Sequence, residues 1–253
     1  MHGGTWIQAK EVVDMKTYTS FQELDALGEG LAKKYTGNTH RWNSSCFDIE
    51  GFITDFLKLP ILYEAFAEDD PSKIGFLSDG ITPLIVYRAG KKTPIVFPKD
   101  TIVIESFLQR SDESGRRRFT LAHEAAHFIL NRHVPMQTAC FHNEYDHEFH
   151  YSGEELAKMF SLNETLTNRL GAAVLMPPFL VGRALKKYNN GQPIVYYTEG
   201  VFAPDTKIRL QSMSDALGVS YSALINRLRE LRLLECRPIE EYIDHALFPK
   251  ASI

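Results

Sequence analysis

The sequence predicts an α+β fold in which helices enclose a small antiparallel sheet and a helix-turn-helix-like pair of helices follows. Two observations support this prediction. Apolar residues recur at helical spacing in most of the chain, whereas residues 82–106 contain short β-branched runs between turn residues. With 253 residues, 44% of them hydrophobic, the chain can form a sizeable core. We divide it into an N-terminal helical part (1–80), a central core (81–205) and a C-terminal helix-turn-helix-like segment (206–253).

The composition excludes several classes of protein. A net charge of −4 argues against a nucleic-acid clamp, because contact with phosphates requires an excess of cations. The first twenty residues lack the pattern of a secretion signal, and no apolar run reaches the length of a membrane span. The three cysteines, Cys46, Cys140 and Cys236, are too widely spaced for a zinc ribbon and odd in number. We therefore expect a cytoplasmic protein with no membrane partner.

The sequence pattern of the N-terminal half predicts two helices followed by a sheet. Ser20 begins a capping-box pattern, S-F-Q-E, followed by leucines at helical spacing. A second helix is expected from about Asp48 until Pro60 prevents its continuation. Residues 82–106 hold three strand-like runs, which we interpret as an antiparallel meander, and residues 193–203 resemble a small hairpin.

Two helices are predicted in the central core. The segment FTLAHEAAHFILNRH, residues 119–133, is rich in helix formers and apolar enough to be buried. A second helix is expected from Ser161 to about Met176, because Ser161 and Glu164 form another S-x-x-E pattern and two prolines follow Met176. The stretch between these helices is polar and rich in histidine.

His123-Glu124-Ala125-Ala126-His127 has the pattern H-E-x-x-H. Residues four apart lie one above the other on a helix, so both imidazoles can bind one ion, and zinc is the expected ion. Glu124 lies beside the pair and is placed to take a proton from the attacking water and pass it to the leaving amine. The alternative is a helix whose histidines are merely hydrogen-bonded in a core. This is disfavoured because two buried imidazoles and a carboxylate among apolar residues are costly without a metal.

A catalytic zinc ion needs a third protein ligand, and Glu164 is the preferred candidate. Glu164, Asn168, Gly171 and Ala172 share one face of the predicted helix, and the small residues allow a close approach to the histidine helix. Asn168 can then accept a hydrogen bond from the far nitrogen of one imidazole. Glu164 can instead simply cap its own helix through the Ser161 pattern.

Other candidates for the third ligand remain open on spacing alone. Glu154 and Glu155 are nearer in sequence, and four histidines occupy the polar stretch, which we interpret mainly as a solvated loop. A histidine or tyrosine from that stretch can also stabilise the oxyanion of the reaction. The side chains concerned are His133, His142, His147 and His150, together with Tyr145 and Tyr151.

The motifs together resemble the ImmA/IrrE family of bacterial metallopeptidases. The similarity runs from about Ile81 to Leu234 and rests on RRRFTLAHEAAHFIL, ETLTNRLGAAVLMP and MSDALGVSYSALINRLRELRLL. The resemblance implies a zincin-like metallopeptidase core, with metal ligands at His123, His127 and Glu164 and a catalytic glutamate at Glu124. One Zn²⁺ is the implied cofactor, with Mn²⁺ as an alternative. The chain departs from the family pattern at Thr167, where alanine is usual.

The same resemblance implies a protein substrate. Members of the family act in the cytoplasm on helix-turn-helix repressors of mobile elements or stress genes, and cut them so that the repressed promoter opens. The strand TIVIES, residues 101–106, precedes the histidine helix and would accept an extended peptide if its edge were exposed. An internal position for this strand is equally compatible with the sequence.

The C-terminal helices leave a second function open. Residues 207–232 hold five basic and two acidic side chains, which is a weak signal for DNA binding. We favour a helical pair packed on the core, with Arg227, Arg229 and Arg232 in solvent or on a partner. The alternative function is a DNA-associated regulator whose metal is structural or sensory, with a fourth ligand such as Cys140 or His142.

Overall fold

The computed structural model describes residues 20–40, 42, 44–70, 72–133 and 153–247. Its helices are α1 (Phe21–Asn38), α2 (Ile49–Gly51), α3 (Ser114–His133), α4 (Gly153–Leu175), α5 (Pro178–Tyr188), α6 (Pro204–Leu217), α7 (Tyr221–Glu230) and α8 (Ile239–Leu247). Its strands are β1 (Ile61–Glu64), β2 (Gly75–Leu77), β3 (Leu84–Arg88), β4 (Lys91–Ile95), β5 (Ile102–Glu105), β6 (Ile194–Tyr197) and β7 (Leu234–Arg237). The predicted mixture of helices and small sheets is confirmed.

The two predicted N-terminal helices are present. Ser20 caps α1 as a capping box: its hydroxyl accepts from the Glu23 N–H at 3.2 Å, and the Glu23 carboxylate accepts from the Ser20 N–H at 2.7 Å. Asp48 caps α2 through the Gly51 N–H. The helix continues as a π-helical turn, Phe52–Phe56, and has ended before Pro60.

The main sheet corrects the predicted meander. β3 and β4 pair as an antiparallel hairpin, but β5 leaves them and lies between β1, to which it is parallel, and β2, to which it is antiparallel. Of the two positions that the sequence left open for TIVIES, an exposed edge and the interior of the sheet, the structure has the interior one. Ile102, Val103 and Ile104 are all fully buried, because a strand in the middle of a covered sheet needs apolar side chains on both faces.

The predicted hairpin over residues 193–203 is also wrong. β6 pairs in parallel with β7, and within the predicted hairpin only the isolated bridge between Tyr197 and Val201 is present. β7 follows α7, so the true partner of β6 is about forty residues away and invisible to a local pattern.

α4 begins earlier than predicted. It starts at Gly153, so Ser161 lies inside the helix and is not its N-cap. The residues before Ser161, EELAKMF, are good helix formers and extend the helix upstream. The capping explanation for Glu164 is therefore removed.

α4 lies between α1 and α3 and packs extensively on both. Its approach to α3 is as close as the small residues predicted: a Cβ on Gly171 would lie 3.1 Å from the backbone oxygen of Ala122. α3 also packs on β2 and β5. One hydrophobic core includes Leu24, Leu121 and Leu224, and thus extends across the proposed boundaries at residues 80 and 205.

The C-terminal helices pack on this core. α6 and α7 flank the predicted turn, and Ser220 caps α7 by accepting from the Ala223 N–H. For Arg227, the expected exposure to solvent is wrong. Its side chain is fully buried and is bonded to Asp25 of α1, to Glu230 and to the Met176 carbonyl. Among the described residues we find no helix with the length and apolar character needed to cross a membrane.

Candidate metal centre

α3 and α4 bring three potential ligands together. The Nε2 atoms of His123 and His127 are 3.0 Å apart, as expected for residues one helical turn apart. Glu164 of α4 faces them, with one carboxylate oxygen 3.3 Å from His123 Nε2 and the other 3.5 Å from His127 Nε2. One ligand atom from each of the three residues lies within 4.8 Å of the others, so the group can hold a metal ion.

The spacing of these atoms fits a tetrahedral ion. Zinc bonds to nitrogen or oxygen are about 2.0–2.1 Å long, and a tetrahedron with such bonds has ligand atoms about 3.3 Å apart. The two imidazole nitrogens are 3.0 Å apart, and each lies 3.3 or 3.5 Å from a different oxygen of the Glu164 carboxylate, so these separations are of the size that such an ion requires. The set of two imidazoles and one carboxylate is one that zinc uses in peptidases, and it leaves a coordination position for solvent or substrate.

Neighbouring side chains orient both imidazoles. Asn168 Oδ1 is 3.0 Å from His123 Nδ1, and since an amide oxygen only accepts, this nitrogen must carry the proton. His123 Nε2 then presents its lone pair to the ion. The hydroxyl of Thr167 is 3.4 Å from His127 Nδ1. Asn168 lies where the sequence predicted it, whereas Thr167 was noted only as a departure from the family pattern.

The charge on His123 reflects its carboxylate neighbours. Burial disfavours the imidazolium form, but the hydrogen bond and charge of Glu164 and the charge of Glu124 outweigh it. The pKa of His123 is therefore raised above its ordinary value. In the absence of metal, the two nearby carboxylates therefore favour the protonated form of His123.

Glu124 is buried between α3 and β2. Burial raises its pKa to about 7 against the opposing charge of His123; the charge of Glu164 adds to the increase, whereas Lys73 and a hydrogen bond from the Leu77 backbone oppose it. Its side chain is only 6% exposed. Gly75 makes room for it, because a Cβ there would collide with the Glu124 carboxylate and lie 2.8 Å from the Thr120 methyl carbon.

β2 and the loop after it form the wall of a cleft of about 290 Å³ that contains the metal ligands. Sequence reasoning missed this wall, since β2 has only three residues. A glycine between apolar residues in KIGFL is the one signal in the sequence that pointed to a close approach. Besides the ligands and Glu124, the cleft is lined by Lys73, Gly75, Phe76, Leu77, Asp79 and Thr82.

The other candidate ligands are less favourably located or lie outside the described residues. Glu154 and Glu155 lie in the first turn of α4, about 14 Å along the helix axis from Glu164. The side chain of His133 is not among those described. Outside the described residues lie Cys140, His142, Tyr145, His147, His150 and Tyr151.

Comparison with known families shows a similarity in the middle of the chain. Residues 106–229 match the family model described as Peptidase_M78, the IrrE N-terminal-like domain. The matched region runs from the end of β5 through α3 and α4 into α7, so it contains all three potential ligands and Glu124. A comparison with curated proteins finds no match.

Proposed function

Because this chain belongs to the ImmA/IrrE family through residues 106–229, its function is of the metallopeptidase type, and we propose that it is a zinc-dependent endopeptidase. The observation that carries the proposal is the convergence of His123, His127 and Glu164 beside a buried Glu124. His123, His127 and Glu164 would hold the ion, with Mn²⁺ as the alternative metal. When bound, the ion would lower the pKa of water and polarise the carbonyl of the peptide bond.

Glu124 is the general base of the proposed reaction. A base with a pKa near 7 can take a proton from the attacking water and return it to the departing amine at neutral pH. The Leu77 N–H holds the carboxylate against β2. Asn168 keeps the His123 ring in the tautomer that binds a metal.

In the described part of the chain β2 lies at the edge of its sheet, and its Gly75 peptide groups suit an extended peptide, whereas the Leu77 N–H is already bonded to Glu124. In antiparallel pairs, successive residues bond alternately to one side and the other. Ile74 and Ser78 bond toward β5, so the peptide groups of Gly75 face the cleft side. A substrate added as a further strand would lie across the metal ligands. This assigns to β2 the role that the sequence had suggested for TIVIES.

The family resemblance supports a proposal for the substrate class. We propose a helix-turn-helix transcriptional repressor, cut in the cytoplasm, as the physiological substrate. The alternative, a DNA-associated regulator with a structural or sensory metal, draws little support from α7. Its Arg227 is buried and bonded to Asp25, so this arginine does not face a possible DNA partner.

Metal analysis and a cleavage assay test the proposal together. The purified protein is expected to bind one zinc ion per chain, and His127→Ala and Glu164→Ala to lose most of it. Glu124→Gln is expected to keep its zinc while casein cleavage falls by about 10²–10⁴-fold. Cleavage that survives in Glu124→Gln would contradict the mechanism. Metal retained in Glu164→Ala would assign the third ligand to another residue.

A further inference from the structure

A second cavity, of about 580 Å³, opens between α3, α4 and α7. It is distinct from the cleft under β2. Phe119 of α3, Ala172 of α4 and Ala223 of α7 supply its apolar lining, and Asn168 and Arg116 are among its polar residues. A volume of this size is typical of binding sites.

The cavity continues the surface that carries the metal ligands. Asn168 lines the cavity and also bonds the His123 ring. Phe119 precedes His123 by four residues and Ala172 follows Asn168 by four, so each lies one helical turn, about 6 Å, farther along the same face of its helix. A chain bound at the metal ligands therefore reaches this cavity within two or three residues.

One end of the cavity is positively charged. The Arg116 side chain is 52% exposed, and its ion pair with Glu113 is long, at 4.0 Å. Arg116 lies in the first turn of α3, and Ser220, the N-cap of α7, also lines the cavity. Both helix N-termini add partial positive charge at this end. By contrast, the charge of the buried Arg227 is balanced by Asp25 and Glu230.

We propose that this cavity is an extension of the substrate site. It takes an apolar side chain of the polypeptide between Phe119 and Ala223, and a substrate carboxylate near Arg116. The proposal rests on the proposed peptidase function, because the polypeptide is chosen as occupant from the continuity with the metal ligands. It gives α7 a role in substrate recognition, as one wall of the site.

Peptide binding tests this without requiring catalysis. Zinc-loaded Glu124→Gln protein is titrated into fluorescent decapeptides that carry a central Leu-Phe and, three residues before or after it, either Glu or Lys. In at least one of the two placements the Glu peptide is expected to bind up to about fivefold more tightly than its Lys counterpart. Adding Arg116→Glu is expected to reverse this preference.

The tryptophan pair Ala223→Trp and Ser222→Trp isolates the cavity. Ala223→Trp fills it and is expected to weaken binding of all the peptides by about tenfold or more, whereas Ser222→Trp, on the adjacent exposed position, leaves binding unchanged. Thermal unfolding and zinc content establish that both proteins are folded. If Ala223→Trp does not fold, the exposed Arg116→Glu variant decides alone.

The two proposals fail in different ways. Suppose that the protein with its native Glu124 cleaves casein. If Ala223→Trp then binds the peptides as tightly as the protein with Ala223, or if Arg116→Glu does not change the preference for the Glu peptide, the cavity proposal is overturned and the peptidase proposal stands. Absence of any peptide binding at millimolar concentration also overturns it. If peptides bind and respond to the variants while casein stays intact, the cavity is a peptide site and the hydrolytic proposal fails.

Discussion

Glu124 is a buried carboxyl group, although its proposed role as a base requires the charged carboxylate. Its pKa of about 7 in the folded chain exceeds the ordinary value of 4.5 because burial penalises the carboxylate. A carboxyl group with a raised pKa stabilises the fold when protonated, and this contribution is lost as the pH rises through about 7. His123, whose pKa is also raised, acts in the same direction. The zinc-free protein should therefore be less stable above pH 7 than at pH 5.5.

Glu124→Gln tests this pH dependence in the zinc-free protein. Between pH 5.5 and pH 8 the parent is expected to lose about 2 kcal/mol more free energy of unfolding than the variant, since glutamine does not titrate. Urea unfolding at the two pH values measures the difference. Glu240→Gln, on the exposed surface of α8, is the control and should behave like the parent. Equal pH dependence in parent and Glu124→Gln would show that Glu124 is not the titrating group.

Gly75→Ala tests the fit of Glu124 against β2. The new methyl group would displace the Glu124 carboxylate, so casein cleavage is expected to fall at least tenfold while the free energy of unfolding drops by about 1–3 kcal/mol. Gly30→Ala in α1 is the matched control, because a Cβ there has no neighbour within 4 Å. Full activity in Gly75→Ala would mean that Glu124 has more room than the distances indicate.

Residues that belong to a helical spacing pattern were the ones that the sequence could predict. His123 and His127 are recognisable because their spacing follows from the helix itself, and Glu164 and Asn168 follow from one face of a second helix. Gly75 could not be assigned a role, because a glycine in a three-residue strand has no repeating pattern that indicates its contact with Glu124. The charge state of Glu124 depends on the same long-range contact.

At the scale of elements, α4 is positioned by its close contact with α3. Gly171→Val places two methyl groups against the Ala122 carbonyl and should push α4 outward, together with Glu164 and Asn168. Zinc affinity, measured by competition with a chelator, is expected to fall about tenfold. Gly182→Ala in α5, which has no neighbour within 4 Å, should leave zinc affinity unchanged and stabilise the fold by up to about 1 kcal/mol. Unaltered affinity in Gly171→Val would contradict this account of the α3–α4 contact.

Elements differed in how well the sequence predicted them. α1, α3 and α7 have long apolar periodicity or clear caps and were predicted. β1 and β2 were not, because strands of three or four residues carry too little pattern. β5 was recognised as a strand, but its partners were not. A continuous apolar run indicates burial on both faces of the sheet and does not indicate which strands lie on either side.

At the scale of the whole molecule, a partly buried ionic cluster joins three helices. Arg227 Nη1 is 2.7 Å from Asp25 and 3.0 Å from Glu230, and Arg169 bonds Asp25 and lies 3.3 Å from Glu230. The cluster ties α7 and α1 to α4. Its members come from distant parts of the sequence, so composition and periodicity gave no indication of it.

Arg227→Ala should therefore be strongly destabilising. Removing this fully buried side chain leaves a cavity and an unpaired Met176 carbonyl, although Arg169 still bonds Asp25, and the expected loss is about 2–4 kcal/mol of unfolding free energy, measured by urea denaturation. Arg229→Ala, exposed on the same helix, should change stability by less than about 0.5 kcal/mol. Similar effects of the two substitutions would mean that the cluster contributes little.

The span of this cluster has a consequence for biosynthesis. Asp25 and Arg227 are 202 residues apart, and the Met176 carbonyl at the end of α4 is bonded by a side chain 51 residues downstream. Until α7 has been synthesised, the nascent α4 has none of the anchors that α7 provides. The candidate metal centre, which depends on the position of α4, should thus take its final form only after the ribosome has passed the codons of α7.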